Sequence, residues 1–252
     1  MAWRKTYEGA EPQRVNKWLA SEGVCSRREA EELIANGLVS IDGARVDEPG
    51  RKIERGQTIE VADGRAPAKI SIAINKPVGF VSAQPEHDQV PAARLLTKAN
   101  LIGRANPMPT SRTSLAPLGR LDQDSRGLLL LSEDGVLAKA VIGEDSKIDK
   151  EYLVGVAGQI TDQKLTLLRH GLSLDGHKLK PAKVSVTEPY RLRFILNEGR
   201  KRQIRRMCEL VDLDVVDLVR IRIGPLHLGD LAEGKWRALT AAERQALVRA
   251  AR

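Results

Sequence analysis

Cysteine is scarce in this 252-residue chain. Cys25 and Cys208 stand far apart, without CxxC spacing, and the four histidines are scattered, so no metal cluster can be read from the sequence. Two free thiols suit a reducing cytosol. No apolar run approaches the roughly 20 residues needed to span a bilayer. Met1 to Pro12 also lacks an apolar core of signal-peptide length. A cytoplasmic protein without a membrane partner is therefore expected. Several chemistries are missing too: there is no GxGxxG after a strand, no GxxxxGK[ST], no HExxH and no GxSxG. Aromatic residues make up only 3% of the chain, so any tyrosine in a motif stands out.

Basic residues are in surplus. Lys and Arg number 41 against 33 Asp and Glu, a net charge of +8. A surplus of that size points to a polyanionic partner, with nucleic acid the first choice, although a generically basic soluble protein has the same composition.

Residues 1–12 read as a loose arm. From Arg14 a compact module begins. Val15, Trp18 and Leu19 lie on one helical face that ends at Gly23. Ser26 and Glu29 form a capping box for a second helix, whose buried side would be Ala30, Leu33 and Ile34 before the stop at Asn36-Gly37. Leu38 to Ile41, Asp42-Gly43 and Ala44 to Val46 predict a hairpin, and Thr58 to Val61 a closing strand. Arg27 and Arg28 occupy the first turn of the second helix, where the macrodipole disfavours cations. They fit a phosphate contact there, or simply two solvated arginines. Ala62 to Lys69 is the best linker candidate.

Beyond it the pattern changes. Ile70, Ile72 and Ile74 alternate as in a half-buried strand, whereas Leu128 to Leu131 suggest a strand buried on both faces. Leu192, Phe194 and Leu196 predict another strand, Asp175-Gly176 a hairpin turn, and Thr240 with Glu243 the cap of a terminal helix. Ser82 to Ala116 reads as loop around short helical pieces. Helices are too few and too irregular for a βαβ repeat. The expected fold class is α+β, with a small module of two helices and short strands followed by a mainly antiparallel mixed sheet.

Two segments could carry chemistry. In Gly119-Arg120-Leu121-Asp122-Gln123-Asp124-Ser125-Arg126-Gly127, Arg120 and Asp122 share a side if the chain is extended there. A carboxylate beside arginines stays ionised and oriented, as a nucleophile or base would need, though an ordinary surface ion pair reads the same way. In Arg200-Lys201-Arg202-Gln203-Ile204-Arg205-Arg206-Met207 a helix buries Ile204, Met207, Cys208 and Val211, while its start is crowded with cations. Five cations in seven positions suit RNA phosphate, a buried carboxylate or a solvated basic face. Two smaller signals are Asn75-Lys76-Pro77, which ends a strand, and Tyr152 after Lys150-Glu151, which could stack on an extruded base or serve as core.

Taken together and in order, Asn75-Lys76-Pro77, Gly119-Arg120-Leu121-Asp122, Lys150-Glu151-Tyr152 and Arg202-Gln203-Ile204-Arg205-Arg206-Met207 resemble the RsuA/RluB/RluE/RluF family of pseudouridine synthases. The tail Ile223-Gly224-Pro225-Leu226 through Gly234-Lys235-Trp236-Arg237 is similar too. The module at 14–61 looks like the family's alpha-L RNA-binding domain, and 70–252 would then be the catalytic domain. The resemblance implies roles. Asp122 would be the catalytic aspartate, Tyr152 the residue stacking on uracil, and Arg205 the basic partner of the catalytic carboxylate. Ile204 would pack on the base, and Arg120 would hold the flipped nucleotide or fill its place. Asn75 and Lys76 would join Arg120 and Ile204 in substrate binding. Arg27, Arg28, Arg200, Lys201, Arg202 and Arg206 would grip RNA. The implied substrate is a uridine of ribosomal RNA, of the large subunit if the likeness of 119–125 and Met207-Cys208-Glu209 to the RluF branch holds, with small-subunit or transfer RNA as alternatives. No cofactor or metal is implied, and a monomer is expected. One departure is the loop 83–116, lengthened by Leu101 to Ser114, which could shift the target. Two rivals remain: a non-catalytic RNA-binding or ribosome-assembly protein, and an accessory RNA-binding module that would explain only 14–61.

Overall fold

The computed structural model describes residues 3–62, 69–83, 85–86, 88–110 and 113–251. Most of the expected linker, 63–68, lies outside them, as do positions 111–112 of the expected insertion. The chain divides into two compact units, Met1–Lys69 with Asp134–Val136, and Ile70–Glu133 with Leu137–Arg252.

In the first unit the helices Val15–Ser21 and Arg27–Ala35 form as their apolar spacing demands. The second begins at a complete capping box: the Glu29 amide donates to the Ser26 hydroxyl, and the Ser26 amide to the Glu29 carboxylate. Ala30 and Ile34 are buried, with Leu33 partly covered. The helices share one apolar core with an antiparallel sheet ordered Trp3–Thr6, Thr58–Val61, Val39–Ile41, Ala44–Arg45. The loose arm expected at 1–12 is thus corrected. Trp3–Thr6 pairs with Thr58–Val61, and Trp3 and Tyr7 each set a ring edge-to-face against Trp18 at 5.5 Å.

The second unit is built on a nine-stranded sheet. Its main order is Lys183–Glu188, Arg191–Leu196, Lys150–Ala157, Asp214–Ile223, Arg126–Ser132, Ser71–Lys76, Trp236–Ala238. Only the central pair, Arg126–Ser132 with Asp214–Ile223, is parallel; the other pairings in this sheet are antiparallel, as expected. Leu128 and Leu130 face a core that includes Leu137, Val141 and Leu247, while Leu129 and Leu131 face Ala92, Leu121 and Trp236. That two-sided burial explains the continuous leucine run. Ser71–Lys76 is likewise buried on both faces, with Ala73 on the first and Ile72 and Ile74 on the second, so the half-buried strand read from isoleucine alternation is corrected. The stretch after Ser82 holds two 3-10 turns, Ala92–Leu95 and Lys98–Asn100. It docks on the Trp236–Ala238 edge strand: the Trp236 indole donates to the Thr97 carbonyl at 2.9 Å and the Ile102 amide to the Trp236 carbonyl at 2.8 Å.

Candidate active site

The parallel central pair is tight because residue 127 is glycine. A Cβ on Gly127 would lie 2.4 Å from the Arg220 carbonyl oxygen and 2.8 Å from its nitrogen. This close approach brings the loop 119–125, which feeds the Arg126–Ser132 strand, beside the strand carrying Arg220. Backbone contacts then pin the loop. The Ser82 hydroxyl accepts from the Leu121 amide at 2.8 Å and donates to the Leu121 carbonyl at 2.7 Å. The Gly79 amide donates to the Gln123 carbonyl at 2.8 Å, and Ser125 closes a turn on the Asp122 carbonyl at 3.1 Å. Buried Arg220 donates to the carbonyls of Leu128, Gly119 and Arg120 at 2.7, 3.0 and 3.4 Å.

A cleft of about 400 Å³ opens there. Its walls include Arg120 and Asp122 from the loop, Tyr152 from the strand Lys150–Ala157, and Ile204 and Arg205 from the helix Gln203–Glu209. Residues from three separated segments therefore meet in one place. Asp122 is half-buried, and its carboxylate has no ion pair or hydrogen-bonded partner among the described residues. Tyr152 is half-buried where two apolar clusters meet. Ile204 is 5% exposed and anchored in the core.

Arg205 departs from expectation. Its guanidinium is paired not with Asp122 but with Asp124, Nε lying 3.3 Å from Oδ2. It also donates to the Asp124 carbonyl at 2.8 Å and the Val215 carbonyl at 3.1 Å. Arg202 reaches the same Asp124 carboxylate at 3.0 Å. Partial burial pulls the Asp124 carboxyl upward, but the Arg202 hydrogen bond and the charges of Arg205 and Arg202 outweigh it and hold the group below the usual range. Two carboxylates stand two residues apart in this loop, and geometry gives the arginines to the second.

Of the other expected residues, Arg200, Lys201 and Arg202 are exposed on the cleft wall. Arg206 lies outside it, in a two-pronged pair with Asp175 at 2.6 and 2.9 Å. Arg27 and Arg28 are exposed in the first unit and have no ion pair among the described residues. Asn75 and Lys76, expected to bind substrate, are not in the cleft wall. Asn75 donates to the Leu231 carbonyl at 2.7 Å, and fully buried Lys76 to the carbonyls of Pro77 and Phe80 at 2.8 Å each. Sequence reasoning missed Asp124, Ser82 and Arg220. For Arg220 a signal existed, a cation set between the apolar Val219 and Ile221 of the strand Asp214–Ile223. Among the described residues no group of His, Cys, Asp and Glu could hold a metal ion, and no helix is long and apolar enough to cross a membrane.

Residues 70–210 match the RNA pseudouridylate synthase family and residues 13–59 the S4 domain. The chain is 35% identical over 233 residues to the dual-specificity RNA pseudouridine synthase RluF of Salmonella typhi, covering 90% of this chain and 75% of that one, with the same figures for the Escherichia coli K12 protein. An uncharacterized RNA pseudouridine synthase of Aquifex aeolicus is 33% identical over 244 residues, 94% of each chain. A crystal structure of a pseudouridylate synthase superposes with a TM-score of 0.65 at 28% identity, covering 93% of this chain and 99% of that one. The chain belongs to the RNA pseudouridylate synthase family, the family its motifs resemble, and carries an S4 domain before the enzyme domain. It is an RNA-modifying isomerase.

Proposed function

We propose that the protein isomerises a uridine of large-subunit ribosomal RNA, with Asp122 as the catalytic carboxylate. The observation that carries this reading is the convergence of Asp122, Tyr152, Ile204 and Arg205 on one cleft. The reaction breaks the bond between ribose C1′ and uracil N1, joins C1′ to C5, and moves the C5 proton to N1. Substrate and product contain the same atoms and electrons. The protein must therefore extrude the nucleotide, activate C1′ or the ring, and retain the free uracil while it turns.

The residues divide this work. Asp122, unpaired and half-buried, is free to act on the sugar or the ring. Arg205 works at one remove: it fixes Asp124 and the Ser125 turn, and through that turn the Asp122 backbone. Tyr152 supplies an aromatic face and Ile204 an apolar wall for uracil. Arg120, Arg200, Lys201 and Arg202 meet phosphate near the cleft, and Arg27 and Arg28 of residues 14–61 add further phosphate contacts. Residues 70–252 make up the catalytic domain in this reading. Asn75 and Lys76 contribute through the strand Ser71–Lys76, which pairs with Arg126–Ser132, and Arg206 through the helix Gln203–Glu209. The protein works as a monomer in the cytoplasm, where ribosomal RNA is found, and transfer RNA is a second substrate class to be assayed.

The test is pseudouridine mapping of ribosomal and transfer RNA from cells lacking the gene, with wild-type or Asp122→Asn protein restored. One large-subunit site should vanish, and only wild type should bring it back. Restoration by Asp122→Asn would end the catalytic assignment and favour an RNA-binding role.

A further inference from the structure

Charge pairing inside the cleft is uneven. Eight of its lining residues are Lys or Arg and three are Asp or Glu. Arg202 and Arg205 share Asp124, and Arg200 faces Glu198. Two cations at the inner wall form no ion pair with a carboxylate among the described residues. Arg220 is 1% exposed, and its three hydrogen bonds all end on main-chain carbonyls. Among the described residues the Lys150 ammonium donates to the carbonyls of Ile148 at 3.4 Å and Val141 at 3.5 Å, both long contacts, with the Asp149 charge nearby. The neighbouring acid, Asp149, is taken by both prongs of Arg222 at 2.7 and 3.1 Å. Lys150 and Arg220 also lie close together. A Cβ built on Gly119 would sit 3.7 Å from Cε of Lys150 and 3.8 Å from Nη1 of Arg220.

Buried charges are ordinarily paired, because taking an isolated cation out of water costs several kcal/mol. Here burial, with the Arg220 charge second, pushes the Lys150 ammonium down to about 8. Both groups retain donor capacity. Arg220 uses three of its five N–H groups, and the contacts of Lys150 are long. The pair flanks the loop that carries Asp122, on the same cleft as Tyr152.

We propose that Lys150 and Arg220 form the subsite for a phosphate adjoining the target uridine. The inference rests on assigning the cleft to that uridine. Such a subsite answers a need of the reaction. While the glycosidic bond is broken, uracil must rotate but the ribose must not, and a clamped phosphate holds the ribose still. It also repays part of the cost of extrusion with charge-assisted hydrogen bonds formed away from water.

Isothermal titration of the full-length protein with uridine, uridine 5′-monophosphate, uridine 3′-monophosphate and inorganic phosphate tests this. At least one of the two nucleotides should bind about tenfold or more tighter than uridine, the worth of one hydrogen bond to a charged group. Lys150→Met should erase that preference while leaving uridine binding unchanged, and Lys150→Arg should keep most of it. Should Lys150→Met not fold, Lys150→Gln gives the same comparison. Nucleotides binding no better than uridine to wild type, a preference that survives Lys150→Met, or equal binding of inorganic phosphate would each overturn the subsite. Asp122→Asn separates this inference from the functional reading. It should keep the nucleotide preference and lose turnover, so loss of the subsite with Asp122-dependent turnover intact refutes the subsite alone.

Discussion

Lys76 is fully buried, yet it keeps an ammonium group against two carbonyls. Burial drives its pKa down to about 8, even though Asp124 and Asp122 pull the other way. A lysine in the unfolded chain titrates near 10.4. Below about pH 8 both states hold the proton and the burial penalty is fully present. Between about pH 8 and 10.5 the unfolded chain binds a proton the folded one has released, so stability rises with pH, by on the order of 1–3 kcal/mol from this group. Lys150 acts in the same direction, so the difference between variants isolates each lysine. Urea unfolding at pH 7.5 and 9.5 should show a smaller rise for Lys76→Met than for wild type, and an equal rise would mean that Lys76 titrates like a free lysine. Asp124 gives a second prediction at this scale. Its carboxylate joins Arg202 and Arg205, so Asp124→Ala should release both and let the Asp122 loop drift. Single-turnover rates on the native RNA should fall on the order of 10–100-fold, the range for misplacement of a reacting group, with RNA affinity less affected. A rate within twofold of wild type would mean that the Arg205 pairing is idle in the reaction.

At the scale of elements, the site depends on one strand pairing. Gly127 adopts φ +105°, and its neighbour across the parallel pair is Arg220 backbone. Gly127→Ala should cost roughly 2–4 kcal/mol, combining strain at positive φ with a clash against main chain that cannot step aside. The urea midpoint of the enzyme domain reads this directly, and a loss below 0.5 kcal/mol would mean the pair has slack. Local rules made much of this architecture legible. Both capping boxes, the leucine strand and the Asp175-Gly176 turn formed where short-range patterns put them. Three features eluded the sequence for reasons of distance. Trp3–Thr6 is a strand only because Thr58–Val61 offers an edge far along the chain. Ala73 is buried by packing that an isoleucine alternation does not register. The partner of Arg205 depends on how a turn aims Asp122 and Asp124, which spacing leaves undetermined.

At the scale of the whole molecule, 41 basic residues against 33 acidic ones give a net charge of +8 that favours a polyanion, but the structure distributes the cations unequally. Arg126, Arg193, Arg222 and Arg237 are committed to carboxylates. Arg27 and Arg28 are exposed and have no ion pair among the described residues, so they can meet phosphate without first giving up a partner. Each phosphate neutralised on single-stranded RNA contributes about 0.7 to the slope of log affinity against log salt. Replacing both arginines by alanine, in an Asp122→Asn background that leaves the RNA unmodified, should therefore reduce that slope by about 1.4 in filter binding from 50 to 300 mM KCl. The slope is more informative than affinity at one salt concentration, because a fold defect would weaken binding without scaling with counterion release. An unchanged slope would make the two arginines solvated residues at a helix start and leave RNA capture to the cations around the cleft.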